Sequence, residues 1–181
     1  QSQDVGEVNG ETISAQDFQA LVEEYTEVVK FSSGLNALSD EQTNQIKDEV
    51  WRAYVNNKLI ENEAEKLGLT VSKAELQAII DAGVHPMLQQ TPFRNPQTGA
   101  FDKDMLKKFL VDYSKMNKAQ MPAQYAEYYN SMYNFWSFVE KSLIQARLQE
   151  KYQALITKSL FSNPVEAEDA FNARVAQSDL L

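Results

Sequence analysis

The sequence predicts a mainly α-helical domain with a short N-terminal β-hairpin and a long projecting helix. Three observations predict this fold class. An Asn-Gly pair stands between two alternating stretches near the N-terminus. Helix-capping patterns recur along the chain, and apolar residues at helical spacing follow them. No Pro or Gly interrupts the stretch from 123 to 160, which is far longer than an average globular helix. A single domain with a helical extension is the simplest organisation.

The hairpin is expected at about residues 5–13. Asn9-Gly10 suits a type I′ turn, because both central positions of that turn need positive φ. A two-stranded hairpin is marginally stable alone, so this one must lean on helices or pair with another strand. Ser14-Ala15-Gln16-Asp17 matches a helix-start pattern, and Gly34 lies where such a helix should stop. The first helix is therefore expected at about 14–31.

A second helix is expected at about 40–67, opened by the capping signal Ser39-Asp40-Glu41-Gln42. Its apolar residues fall on two overlapping stripes, and a helix with a wide apolar arc is usually packed on both sides. We therefore expect it to be the central helix, wrapped by the others. Ser72-Lys73-Ala74-Glu75 is a further capping box, and it predicts a short helix at about 72–82.

The second half of the chain is predicted to hold an irregular loop and three more helices. Pro and Gly residues break up residues 84–100, so a loop is expected there. Asp102 can cap a helix at about 102–115. The long helix follows at about 122–160. It would measure about 58 Å at ~1.5 Å per residue, so part of it should project from the domain as an arm. A final helix is expected at about 164–177.

Charge and composition exclude several classes of function. The net charge of −9 argues against nucleic acid and anionic lipid heads, since both are bound through Lys and Arg. The chain has no Cys, which excludes disulfides, thiolate metal sites and a Cys nucleophile. No apolar run approaches the length of a bilayer span. The chain starts at Gln1 rather than Met, so we expect a processed form or an excised piece that a leader or anchor preceded.

Catalytic chemistry has little support in the residues. His85 is the only histidine, and no pattern of ligands surrounds it, so a metal site or a Ser-His triad would depend on it alone. The spacing of the carboxylates at 61–65 and 166–169 is more typical of solvated helix faces than of a catalytic pair. The stretch Asp102-Lys103-Asp104 is more typical of a helix cap than of a calcium-binding loop. No phosphate-binding or nucleophile-elbow motif occurs. We expect no catalytic residue, no metal and no cofactor.

One segment is crowded with aromatic residues. Seven of them lie within little more than three helical turns: Tyr125, Tyr128, Tyr129, Tyr133, Phe135, Trp136 and Phe138. They point in almost every direction around a helix, so some should stay near the surface unless neighbours wrap the helix completely. Core packing is one interpretation, and a surface for unfolded polypeptide or another subunit is the other. The residues expected to bind peptide are Tyr125, Tyr129, Met132, Tyr133 and Trp136.

Several stretches carry a family resemblance. They are Val8–Ser14, Leu59–Ser72, Gly99–Asp102 with Leu106 and Phe109 after it, and the long helix with Leu143-Ile144 and Tyr152 followed by Pro164–Glu168. Their order and spacing resemble the N-terminal region of the parvulin-type periplasmic chaperones and peptidyl-prolyl isomerases of the SurA and PpiD type. The resemblance covers nearly the whole chain, and it implies a SurA N-terminal-domain-like helical fold.

The resemblance also implies a function. Such a module is an ATP-independent chaperone that holds unfolded chains and changes no bond. Residues 84–100 and the aromatic-rich long helix look closer to the membrane-anchored PpiD type. That likeness implies an anchor before Gln1 and a place on the periplasmic side of the inner membrane. It also implies unfolded or newly translocated envelope proteins as clients, and proximity to the secretion translocon. The isomerase domain of this family is expected beyond Leu181.

Two alternatives stay open at this point. One is that the chain itself isomerises prolyl bonds, although it lacks the paired histidines and the Gly-rich end of the family's isomerase domain. The other is that it serves as a dimerisation or docking arm and binds no client. A homodimer is compatible with both the chaperone and the arm, and nucleic acid is not expected as a partner.

Overall fold

The computed structural model describes residues 4–8 and 10–162 as a bundle of helices with a hairpin at its N-terminal end. The strands are β1 (Asp4–Val8) and β2 (Glu11–Ser14). The helices are α1 (Ala15–Ser33), α2 (Asp40–Lys66), α3 (Lys73–Ala82), α4 (Pro86–Gln89), α5 (Lys103–Lys115) and α6 (Ala123–Ser162), with a 3-10 turn at Lys118–Gln120. The predicted mainly α class with its hairpin and long helix is confirmed. The helix expected at 164–177 lies outside the described residues.

The hairpin is held against the helices as its marginal stability requires. β1 and β2 are antiparallel, with Val8 opposite Glu11 and Gly6 opposite Ile13. Val8 and Ile13 are buried, and the hairpin packs on α1 and α2. Gly6 lies directly against the Trp51 ring of α2, where a Cβ atom would come within 2.7 Å of Cζ2. The absence of a side chain at Gly6 therefore lets the strand approach α2 closely.

The helix boundaries follow from local side-chain chemistry. Ser14 accepts a hydrogen bond from the Asp17 amide at the start of α1. Ser39 and Ser72 each form a full capping box with the residue three positions on. Gly34 ends α1 in the left-handed region, at φ +72°. These caps satisfy amide and carbonyl groups that a helix end would otherwise leave without partners.

The long helix α6, and not α2, lies at the centre of the fold. The prediction that α2 is wrapped by the other helices is wrong, because α6 packs against α1, α2, α4 and α5. Buried residues from α1, α3, α5 and the loop after α3 surround it. The main core cluster is Val28, Ile80, Leu88, Phe93, Leu106, Phe135, Trp136, Val139 and Leu143. The wide apolar arc of α2 is instead shared between α1, α6 and the hairpin.

The segment 84–100 is more ordered than its Pro and Gly content predicts. It contains the one-turn helix α4, with Pro86 in the first turn, where the missing amide is not needed. Leu88 and Phe93 from this segment are 0% and 3% exposed, so it supplies part of the core. An antiparallel bridge between Arg94 and Phe101 closes the loop that follows.

The predicted projection of the long helix is confirmed. Leu143 is 1% exposed at the middle of α6. Five turns before it, on the same side, Tyr125 is 61% exposed, and five turns after it Phe161 is 85% exposed. The side of α6 that faces the core therefore continues past the core at both ends. Within the described residues, no helix combines the length and the apolar character that a membrane span requires.

Candidate functional site

The N-terminal turns of α6 carry three of the four exposed aromatic rings among the described residues. We call Tyr125, Tyr128, Tyr129, Met132 and Tyr133 the tyrosine end. Tyr125, Tyr128 and Tyr133 are 61%, 52% and 37% exposed, while Tyr129 and Met132 are half-buried. Four of the five residues expected to bind peptide therefore reach the surface in whole or in part. Tyr128, which was not among the residues expected to bind peptide, is more exposed than three of these four.

The fifth residue, Trp136, is in the core. Its exposed fraction is 3%, and its ring meets Phe93 edge-on at a centroid distance of 6.2 Å. A client cannot touch this indole while the domain keeps its fold. We therefore correct the expected site by removing Trp136 from it. The reason is that α1, α5 and the 84–100 segment all close around this turn of α6.

Residues of the tyrosine end share a helical stripe with the core. Tyr125, Tyr129, Met132 and Trp136 are spaced by four, three and four residues, which places them on one side of α6. Trp136 is buried, Tyr129 and Met132 are half-buried, and Tyr125 is open to solvent. The stripe thus emerges gradually from the core. The last ring of the stripe is Tyr125. No neighbour among the described residues covers it, so packing within the domain does not explain an aromatic side chain at this position.

Helix α5 holds one flank of the tyrosine end. The Tyr113 ring stacks on Tyr133 at a centroid distance of 4.4 Å and an interplanar angle of 6°. Phe109 stacks on Tyr129 at 6.3 Å. The Tyr113 hydroxyl donates to Oδ1 of Asn130 at 2.6 Å and accepts from Nζ of Lys118 at 2.8 Å. The rings of this flank are therefore fixed in place before any partner arrives.

Helix α1 holds the other flank. Phe31 near the end of α1 lies 6.2 Å from the Tyr128 ring and 5.2 Å from the Phe135 ring. Tyr128 and Tyr129 meet edge-on at 5.8 Å, which links the two flanks. Rigid rings that keep one face open offer apolar contact area and a hydroxyl at little entropic cost. Such a surface can bind apolar and aromatic side chains of another polypeptide.

A second surface, which sequence reasoning missed, is a groove between α1, α2 and α6. It encloses about 640 Å³, and we call it the three-helix groove. Leu21, Tyr25, Ala53, Phe138 and Ala146 are among its apolar lining residues. Its size lies in the range of small-ligand pockets. The only sequence signal for this groove was the small side chain at positions 53 and 146. That signal becomes readable only when α2 and α6 are known to be neighbours.

Charged residues close the rim of the three-helix groove. Lys141 of α6 donates to both carboxylate oxygens of Glu24 of α1, at 2.8 and 2.6 Å. The Tyr25 hydroxyl donates to Glu49 at 2.9 Å. Burial raises the pKa of Tyr25, and the neighbouring Glu49 carboxylate raises it further. These pairs tie α1 to α6 and to α2, so they are explained by structure without a ligand.

The candidates for chemistry have structural roles. Nδ1 of His85 accepts a hydrogen bond from the Met87 amide at 3.1 Å and so caps α4. Asp102 caps α5, since its carboxylate accepts from the amides of Asp104 and Met105. Among residues 4–8 and 10–162, no group of three or more His, Cys, Asp or Glu side chains is placed to hold a metal ion. The acidic cluster at 166–169 lies outside the described residues.

Comparison with known proteins assigns the family. The family model described as the SurA-like N-terminal domain matches residues 1–110, which is more than half of the 181 residues. The match covers the hairpin, α1–α4 and most of α5, and it ends before the tyrosine end. No curated protein and no solved structure matches the chain. The match over most of the folded core shows that the chain belongs to the family of SurA-like N-terminal domains.

Proposed function

We propose that this domain holds unfolded polypeptide segments at the tyrosine end, without ATP and without catalysis. A SurA-like N-terminal domain is a chaperone-type module and is not itself catalytic. The observation that carries the proposal is the core-facing stripe of α6, which runs out of the core and ends on Tyr125, 61% exposed. An apolar stripe that continues past its own core is suited to burial by another chain.

The mechanism is reversible burial of apolar side chains. A client segment would place its aromatic or aliphatic side chains against the open faces of Tyr125 and Tyr128 and against the half-buried Met132. Each such contact is weak. Several contacts along one extended client segment add up to useful retention, because every contact after the first is effectively intramolecular. Met and Tyr side chains also tolerate varied client shapes.

The direct test is the removal of the two most exposed rings. The Tyr125→Ser/Tyr128→Ser variant should lose most suppression of light scattering when a chemically unfolded client protein is diluted into buffer. The matched control is Leu35→Ser/Val84→Ser, which removes apolar side chains that are 42% and 79% exposed elsewhere on the surface. Circular dichroism should show that both variants stay folded. Equal suppression by the two variants would remove the tyrosine end from the mechanism.

A bulky residue at position 53 tests whether clients bind at the tyrosine end or in the three-helix groove. Ala53 is exposed on α2 and lines the groove, so Ala53→Trp should fill part of the space with little cost to the fold. We expect this variant to suppress client aggregation as well as the unmodified domain does. A loss with Ala53→Trp and none with the tyrosine variant would transfer the client site to the groove.

The wider setting is proposed from the family. SurA-like domains are periplasmic in bacteria. We place this chain in a membrane-anchored protein of the PpiD type, with a parvulin isomerase domain after Leu181 and with newly translocated envelope proteins as clients. Proximity to the secretion translocon belongs to the same proposal. A proline-tetrapeptide isomerisation assay on this chain should show only the background rate, and a clear rate above background would make the chain itself an isomerase.

The tyrosine end would also suit a second copy of the chain. A homodimer through these rings would bury Tyr125 and Tyr128 and leave no client surface. Light scattering of the domain with and without the Tyr125→Ser/Tyr128→Ser substitutions decides between the two uses. We expect the same mass for both proteins. A dimer that becomes a monomer in the variant would favour a dimerisation arm.

A further inference from the structure

The charge of this acidic chain is distributed unevenly. Residues 103–118 contain five lysines and two aspartates, which gives this segment a net charge of +3. The lysines are Lys103, Lys107, Lys108, Lys115 and Lys118. Since the whole chain carries −9, the remainder carries −12. Helix α5 and the 3-10 turn after it are thus a basic segment on an acidic protein.

Among residues 4–8 and 10–162, these five lysines have no carboxylate partner within salt-bridge distance. The salt bridges found among the described residues use Lys30, Lys58, Lys66, Lys141, Arg147 and Lys151. None of them involves a lysine of the basic segment. All five side chains are exposed. In a chain with 26 acidic residues, this segment keeps its positive charge available to a partner.

The basic segment borders the tyrosine end. Nζ of Lys118 lies 4.6 Å from the centroid of the Tyr113 ring, and Tyr113 in turn stacks on Tyr133. The inner side of α5 packs on α6 through Phe109 and Tyr113, so Lys118, which contacts Tyr113, stands at the margin of the same surface. The outer side of α5 carries Lys108, Val111 and Lys115 at spacings of three and four residues, and Val111 is 43% exposed.

We infer that the tyrosine end selects client segments that carry Asp or Glu next to aromatic or aliphatic side chains. This inference rests on the proposed function, because it names the kind of polypeptide that the surface prefers. The rings would bury the apolar side chains of such a segment, and the lysines of the basic segment would pair with its carboxylates. Screening confines the effect to nearby charges, since the Debye length is about 10 Å at 0.1 M salt. The net charge of the whole chain therefore does not cancel the attraction.

Three labelled peptides test the inference by fluorescence anisotropy at about 0.1 M salt, where screening confines the effect to nearby charges. All three have the same length and the same Phe and Leu positions, and the intervening positions are Asp, Asn or Lys. We expect the Asp peptide to bind most tightly and the Lys peptide most weakly. The preference for Asp over Asn should shrink as salt is raised, because exposed charge pairs are screened.

Two double variants locate the preference. Lys115→Gln/Lys118→Gln removes two charges from the end of the basic segment that lies beside the tyrosine end, and Lys47→Gln/Lys73→Gln removes two exposed charges from α2 and α3. Gln preserves helix propensity, so both variants should fold. The basic-segment variant should lose about fivefold in affinity for the Asp peptide, as expected for two exposed charge pairs. The control variant should lose less than twofold.

Each remaining outcome overturns the inference in a different way. Equal binding of the three peptides leaves client binding at the tyrosine end intact but removes the preference for acidic segments. Binding of none of the peptides overturns the proposed function together with the inference. An Asp preference that survives in the basic-segment variant places the selecting charges elsewhere. Lysine-dependent binding to vesicles with anionic phospholipids, with no peptide preference, would make the basic segment a membrane contact.

Discussion

The rings of Tyr113 and Tyr133 lie face to face, with their centroids 4.4 Å apart and their planes within 6° of parallel. This stack joins α5 to α6 at the margin of the tyrosine end. Tyr133 keeps 37% of its surface exposed, so it belongs both to the packing of α5 and to the open surface. The position of the basic segment of α5 relative to the exposed tyrosines depends on this contact.

A double-mutant cycle measures the stack. Tyr113→Ala and Tyr133→Ala should each destabilise the domain, and their combined effect should be smaller than the sum by about 0.5–1.5 kcal/mol, the usual range for an aromatic pair. Chemical denaturation followed by circular dichroism gives the free energies of unfolding. The control cycle pairs Tyr113→Ala with Tyr125→Ala, whose effects should add to within ~0.5 kcal/mol. Full additivity at 113 and 133 would mean that the stack does not couple the helices.

Truncation of Trp136 should lower the unfolding free energy much more than truncation of Tyr125. Trp136→Ala removes a ring that is 3% exposed and should cost about 3–5 kcal/mol of unfolding free energy, because it leaves a cavity in the core. Tyr125→Ser removes a ring that is 61% exposed and should change the unfolding free energy by less than about 0.5 kcal/mol. Urea denaturation of the two variants measures both values. A large loss with Tyr125→Ser would show that this ring supports the fold.

The elements with local signals were predictable from sequence. Ser14, Ser39 and Ser72 cap helices because a hydroxyl reaches an amide three residues on, and that geometry involves one short stretch of chain. The signal at Gly34, which ends α1 in the left-handed region, is equally local. By contrast, α4 was missed because Pro86 and its Pro-rich surroundings indicate a loop, while the burial of Leu88 comes from distant helices.

The candidate binding surface was only partly predictable, for a related reason. Tyr125 and Trp136 lie on the same side of α6, and helical spacing alone gives them the same environment. What separates them is the neighbouring chain, because Phe93 and the rest of the core cover Trp136, and Tyr125 stands beyond the core. The three-helix groove was invisible for the same reason, since its walls come from α1, α2 and α6.

Gly6 should tolerate no side chain while Trp51 is present. A Cβ atom on Gly6 would fall within 2.7 Å of Cζ2 of the indole, well inside van der Waals contact. Gly6→Ala should therefore cost about 1–3 kcal/mol of unfolding free energy, the usual range for overpacking. Thermal unfolding followed by circular dichroism measures the loss.

A smaller residue at position 51 provides the rescue. In a Trp51→Leu background, Gly6→Ala should cost much less than in the unmodified chain, because the ring that it meets is gone. The two substitutions would then be strongly non-additive, as expected for residues in direct contact. Additive losses would mean that the cost of Gly6→Ala arises in the strand itself and not at the contact with α2.

Acid should weaken the attachment of α3 to α6. The Lys151 ammonium lowers the pKa of Glu75 below 4.5, and the Ser72 amide and Arg147 lower it further against the opposing effect of desolvation. Because this carboxyl has a lower pKa in the folded state than in the unfolded state, its stabilisation is present above the unfolded pKa of about 4.5 and is lost as the pH falls through the folded pKa. The same carboxylate accepts both Lys151 hydrogen bonds, at 2.9 and 3.2 Å.

Glu75→Gln isolates this effect, because Gln at the third helical position can still complete the capping box with Ser72. The unmodified domain should lose unfolding free energy more steeply than Glu75→Gln between about pH 5 and pH 3, and the two should respond alike from pH 6 to 8. Urea denaturation across that range measures the difference. The control is Glu127→Gln, which removes one exposed carboxylate from α6 and forms none of the salt bridges found among the described residues. If Glu75→Gln and the unmodified domain lose unfolding free energy in parallel below pH 5, then protonation of Glu75 does not weaken the packing of α3 on α6.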